Sequence, residues 1–178
     1  MPTLNTSTLA IPAQQLAPAA LTPAAFAAFG TVLQAPPGTG RLINAGTSER
    51  FDLVDDLCLG QQGGRAQMAL FRAQARQFPV RLEEMERHQL GSQSFIPLGR
   101  RRFVIVVAAA GLPPQASDLR AFVSNGLQGI TLAPGTWHHA LMAVDAGDFL
   151  VVERASSAAD CDTWLLTTPP CLQWSPED

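Results

Sequence analysis

ERHQLGSQSFIPL, residues 86–98, sets a carboxylate and an imidazole two positions apart, at Glu86 and His88, and follows them with an amide at Gln93. A second stretch, GITLAPGTWHH at 129–139, places a double histidine just after a Pro134-Gly135 turn. All three histidines of the chain, His88, His138 and His139, lie in these two stretches. On a strand, residues i and i+2 share a face, so Glu86 and His88 point the same way. The Gly91 turn allows a return strand that brings Gln93 alongside. Polar groups at strand spacing on two separate segments are what an antiparallel barrel needs to build a site in its mouth.

The surrounding punctuation agrees. Short apolar runs at 66–72, 93–98, 102–108, 119–124, 129–133, 139–144 and 148–154 are divided by Gly99-Arg100, Pro113-Pro114, Asn125-Gly126, Pro134-Gly135 and Ala146-Gly147. One short helix is expected from Thr22 as cap and Pro23 at the first helical position, through AAFAAF to a stop at Gly30. Residues 79–88 read either as a second helix, which LEEMER favours by propensity, or as an extended segment. Residues 1–15, rich in Ala, Pro, Thr and Gln, read as a loose leader to a single domain over 16–178. The whole predicts an all-β fold, a jelly roll or barrel with one or two short flanking helices.

Composition narrows the function. With 178 residues, 47% hydrophobic and 15% charged, the chain is globular, and its net charge of -3 gives no reason to expect nucleic acid or an anionic membrane as partner. The longest apolar run, 103–112, is about half a membrane span. All twelve basic residues are arginine, which excludes lysine Schiff-base chemistry and leaves guanidinium as the strong cation for binding carboxylates. Cys58, Cys161 and Cys171 are odd in number and lack CxxC spacing. With no secretory signal evident, they predict a reduced cytoplasmic setting.

The order Glu86, His88, Gln93 resembles the first cupin motif, and Gly129, Pro134, Gly135, His138 resembles the second with one residue missing. That resemblance implies a double-stranded β-helix closing both segments over one metal site, with Glu86, His88, Gln93 and His138 as ligands. Adjacent strand residues point to opposite faces, so His138 and His139 are not expected to share a metal. A set rich in oxygen and imidazole, without thiolate, suits Ni, Mn, Fe or Zn. A histidine hydrogen-bonded in a polar barrel, with no metal, is the alternative.

The likeness sharpens further. ERHQLGSQSFIPL, RRRFVIVVA, LRAFVSNGLQGITL, GTWHHAL and DFLVVER, with PAAFAAFG and INAGTSERF before them, resemble the ureidoglycolate lyase family in order over about residues 16–172. Membership implies a homodimeric cupin, with nickel as the associated cofactor. The implied reaction is a carbon–nitrogen lyase of amidine-lyase type, releasing glyoxylate and urea from ureidoglycolate in allantoin (purine) catabolism and nitrogen utilisation. The chain departs from the family pattern at Leu132, where a tyrosine is usual, at Ala140, where a proline is usual, and at Asp52, where a histidine is expected; Ala45 after Asn44 also varies.

The substrate would carry a carboxylate, a hydroxyl and a ureido nitrogen on one carbon. His88 and His138 then serve as metal ligands or as acid–base groups, and Glu86 as ligand, base or orienter of an imidazole. Gln93 and Asn125 are candidates to hold the ureido group, and Arg72 and Arg120 to clamp the carboxylate. Arg87, between Glu86 and His88, faces away and is structural. Two other readings are another metal-dependent cupin enzyme acting on a small acid, and a non-catalytic cupin that binds one.

Overall fold

The computed structural model describes residues 14–158 and 160–175. In chain order the strands and the helix are β1 (Gln15–Leu16), β2 (Ala19–Ala20), α1 (Pro23–Phe26), β3 (Gly30–Leu33), β4 (Arg41–Ile43) and β5 (Ser48–Arg50). Then come β6 (Arg65–Ala73), β7 (Val80–Arg81), β8 (Glu84–His88), β9 (Gln93–Pro97), β10 (Phe103–Ala108) and β11 (Arg120–Val123). The last are β12 (Gly129–Leu132), β13 (Trp137–His138), β14 (Met142–Ala143), β15 (Gly147–Ala155), β16 (Cys161–Leu165) and β17 (Cys171–Leu172).

Two sheets build the body. One runs β16-β8-β13-β10-β11-β2, with β14 also on β10, and the other runs β3-β12-β9-β15-β6. Alternation along each strand gives each sheet an inward face. Phe103, Ile105, Val107 and Phe122 of the first sheet meet Phe95, Ile130, Leu132, Phe149 and Val151 of the second in one core. Phe103 stacks edge-on against Phe149 across that gap, with ring centroids 5.5 Å apart. The facing sheets give the all-β, cupin-like arrangement, though among the described residues the strand ladder does not run round into a closed barrel. The other side of the first sheet is apolar as well. Met85, Val104, Val106, Ala121 and Trp137 pack there on Val80 and Leu172 of the small sheet β1-β17-β7. A sheet buried on both faces explains why β10 is an unbroken apolar run, FVIVVA.

Local signals met tertiary ones in three places. The helix is a single turn: Thr22 caps it, its side chain accepting from the Ala25 N–H, but Gly30 opens β3 instead of ending a longer helix. Residues 79–88 are extended, as β7 and β8, because Leu82 and Met85 sink fully into the second core and the ladder with β16 outweighs the helix preference of LEEMER. The expected strand at 139–144 divides, leaving β13 and β14 on either side of 139–141, both paired to β10. Of the leader expected over 1–15, residues 1–13 lie outside the described residues, and Gln15 opens β1 on β17.

Candidate active site

The first sheet carries a row of residues paired directly across neighbouring strands. Glu86 stands opposite His138, His138 opposite Val107, and Val107 opposite Arg120. Directly paired residues share a face. Val107 belongs to the inner core, so Glu86, His138 and, two positions on, His88 also look inward. One ligand atom from each of Glu86, His88 and His138 lies within 4.8 Å of the other two. Sequence spacing anticipated this convergence of two segments.

Hydrogen bonds fix how the imidazoles present themselves. The Nδ1 of His138 is 3.0 Å from the Thr136 carbonyl, and the Nδ1 of His88 is 3.1 Å from the Asp160 carbonyl. A carbonyl only accepts, so each Nδ1 carries a proton, and a ring in its neutral form turns an Nε2 lone pair elsewhere. His138 is 2% exposed, and its Nε2 is buried without a hydrogen-bond partner. Glu86 Oε1 lies 3.4 Å away, too long for a good hydrogen bond but close enough to act on the carboxyl. Once its Nε2 is protonated, the His138 imidazole holds the Glu86 carboxyl below the usual carboxylate range, against the opposing effect of burial. Two imidazole nitrogens and a carboxylate converging from half-buried and buried side chains are what a divalent cation accepts, and the backbone carbonyls behind the rings orient such ligands.

The strand-parity expectation for the double histidine needs refining. β13 stops at His138, so His139 lies beyond the strand and is free of its alternation. Its ring lines the same small apolar cavity as His138, with Leu132, Phe95, Ile130 and Leu141. Burial pushes the His139 imidazole below its ordinary range. Among the described residues it is not part of the group of three.

Gln93 lies on the other sheet, 6% exposed, paired with Leu132 on one side and Glu153 on the other. Its Nε2 donates to Glu153 Oε2 at 2.9 Å, and its Oε1 is buried without a partner. Leu132, its pairing partner, lines the cavity that His138 also lines. Arg120 shares the inward face with His138 but sits two strands away, about 10 Å at ordinary strand spacing. Its guanidinium donates to the carbonyls of Ser117 and Leu119. Arg72 is elsewhere: one step along β6 from inward-facing Phe71, it projects from the outer face and grips Asp148 at 2.8 and 3.1 Å. Asn125 lies at the far end of the β10–β11 pair, its Oδ1 accepting from the Leu127 N–H in the hairpin turn. Arg87 takes its structural part, stacked 4.3 Å over Trp137 and paired with Asp162.

Three groups near the site carried no sequence motif. Cys161, paired with His88, brings its thiol 3.9 Å from Glu86 Oε2. Asp160 supplies the carbonyl behind His88, and its carboxylate accepts from the Leu90 N–H. Glu153 holds Gln93. The period of DFLVVER put Glu153 on the face of Phe149 and Val151, a signal that could have found it.

The family model described as ureidoglycolate lyase matches residues 13–173. The chain belongs to the ureidoglycolate lyase family. Among curated relatives, the ureidoglycolate lyase of Rhizobium leguminosarum bv. trifolii is 42% identical over 152 residues, covering 84% of this chain and 90% of that one. The ureidoglycolate lyase of Burkholderia cepacia is 43% identical over 159 residues, 88% of this chain and 89% of its own. That of Pseudomonas syringae pv. syringae is 41% identical over 143 residues, covering 80% and 84%. The family match spans both halves of the site, from β8 through β13.

Proposed function

We propose that this member of the family cleaves ureidoglycolate to glyoxylate and urea, and so serves allantoin breakdown and nitrogen utilisation. The observation that carries the reading is the inward group Glu86, His88 and His138, with the Nδ1 of both imidazoles tied to backbone carbonyls and so an Nε2 presented by each. The two Nε2 atoms are assigned to a divalent cation, nickel by family resemblance, with Glu86 beside it. When bound, the cation supplies a Lewis acid and a template for the substrate's carboxylate and hydroxyl.

The remaining work falls to the chain's own residues. Glu86, a carboxylate near neutral pH, takes the hydroxyl proton. The carbon–oxygen double bond forms as the bond from that carbon to the ureido nitrogen breaks. The same carboxyl returns its proton to the departing nitrogen, which leaves as urea, so no net proton is consumed. General acid–base assistance of this kind typically supplies about 10²–10⁴-fold. Gln93 holds the ureido group. Arg120, on the inward face, is the better placed carboxylate clamp, since Arg72 points outward and is engaged with Asp148.

The working unit is proposed to be a cytoplasmic homodimer. Three free cysteines and the outward apolar side chains Met68 and Leu70, 73% and 53% exposed, support that reading. No helix among the described residues is long and apolar enough to cross a membrane. The deciding experiment measures glyoxylate and urea from ureidoglycolate with metal-stripped protein, before and after nickel or manganese is restored. Urea without ammonia is expected, and release of ammonia would instead mean an amidohydrolase.

A further inference from the structure

The inner face of the second sheet carries its own paired row, Gln67, Glu153, Gln93 and Leu132, running across β6, β15, β9 and β12. Leu132 at its end lines the cavity that His138 lines from the opposite sheet. Within the row, Glu153 Oε2 accepts from Gln93 Nε2 at 2.9 Å. A side-chain amide has two ends of almost equal size and can flip. A carboxylate offers only acceptors, so it can hold the nitrogen end and never the oxygen end. Glu153 therefore decides which way Gln93 faces. The oxygen, Oε1, is turned away from Glu153 and left buried with no donor, in a residue 6% exposed. Buried acceptors are nearly always paired, so one that is not points to a donor supplied from outside the chain.

Resting on the ureidoglycolate reading, we infer that Glu153 is a positioning residue that locks the Gln93 amide so that Oε1 accepts a ureido N–H of the substrate. Of the substrate's groups, the carboxylate has no donor, and the hydroxyl is the one that gives up its proton. The ureido nitrogens are the donors left for a neutral acceptor. Glu153 touches no substrate atom; it selects for the ureido group through Gln93.

Two probes separate this from a general structural role. N-carbamoylglycine keeps the carboxylate and ureido group but lacks the hydroxyl, so it binds without cleavage; glycolate keeps carboxylate and hydroxyl but has no ureido group. In nickel-loaded protein, Glu153→Gln is expected to weaken N-carbamoylglycine by at least about tenfold, the loss of one hydrogen bond, and to leave glycolate within about twofold. Gln93→Ala should show the same pattern, and the double variant should be no worse than Gln93→Ala alone. Glu153→Asp, which keeps an acceptor-only group set back by one methylene, gives the same selective loss in smaller degree and carries the test if the glutamine variant does not fold. Equal weakening of both probes, or independent multiplicative losses in the double variant, overturns the inference. So does lowered nickel content in place of weakened ureido binding, which would make Gln93 a metal ligand. If wild-type protein makes no urea from ureidoglycolate, the functional reading falls and this inference with it. If wild type does and the probes fail to discriminate, the role of Glu153 alone is lost.

Discussion

His138 stands directly opposite Glu86 across the β8–β13 pair, its Nε2 3.4 Å from Glu86 Oε1, while its Nδ1 is tied to the Thr136 carbonyl. A buried imidazole whose proton faces its own backbone has one use for its other nitrogen. It accepts a proton or a metal there, and the carboxylate beside it stabilises either charge.

Replacing His88 or His138 by Ala should therefore lower the rate of urea release at least about 10²-fold. Bound nickel, counted after dialysis, should fall in both variants. An unchanged rate in His88→Ala would remove that residue from the site.

For Glu86→Gln the expected loss is in kcat, again by about 10² or more, because an amide cannot take the hydroxyl proton. KM for ureidoglycolate should move much less. A variant that loses only KM would place Glu86 in binding and not in proton transfer.

Acid should reveal Glu86 from a different direction. Its folded-state pKa lies below its ordinary value of 4.5, so the folded state binds its proton less readily than the unfolded chain does. The stability this contributes is fully present above about pH 4.5 and is lost as pH falls through the lower folded value. Denaturant titrations of metal-free wild type and Glu86→Gln should accordingly differ in pH slope below that point and run parallel above it. Parallel slopes throughout would show that His138 does not act on the carboxyl.

Arg154 is the strongest stability prediction outside the chemistry. Its side chain is 2% exposed, donates to the Gln61 and Gln62 carbonyls, and lies 3.8 Å from Asp160, whose carbonyl orients His88. Gly91 packs so closely on it that a Cβ there would come within 2.5 Å of the Arg154 Cβ. Arg154→Met should cost about 3 kcal/mol by leaving Asp160 buried without its partner, and Gly91→Ala about 1–3 kcal/mol through crowding. Chemical denaturation checks both, and values near zero would mean that the 61–64 loop relaxes away freely.

Much of the strand plan was legible because its signals are local. β9, β10, β12 and β15 fall within a residue or two of the apolar runs that announced them, since alternation and turn residues act over a few positions. The segment 79–88 was ambiguous for the same reason: helix propensity is local, while the ladder to β16 joins residues about seventy-five positions apart. The five short strands β1, β2, β3, β16 and β17 announced themselves poorly, being two to five residues long and held by partners distant in sequence.

By itself the sequence determined which residue types were available and their parity. It supplied Glu86 and His88 on one face, a second histidine after a Pro-Gly turn, arginine as the only strong cation, and an ordered set of motifs that named a family. Tertiary structure alone decided which nitrogen each imidazole presents, because the carbonyls of Thr136 and Asp160 that claim the Nδ1 protons are set in place by pairing and packing. It also decided that Arg72 looks outward and that Cys161, Asp160 and Glu153 stand at or behind the site. Side-chain alternation is a property of one strand; register between strands depends on the packing of both cores at once, and no single stretch of sequence contains it.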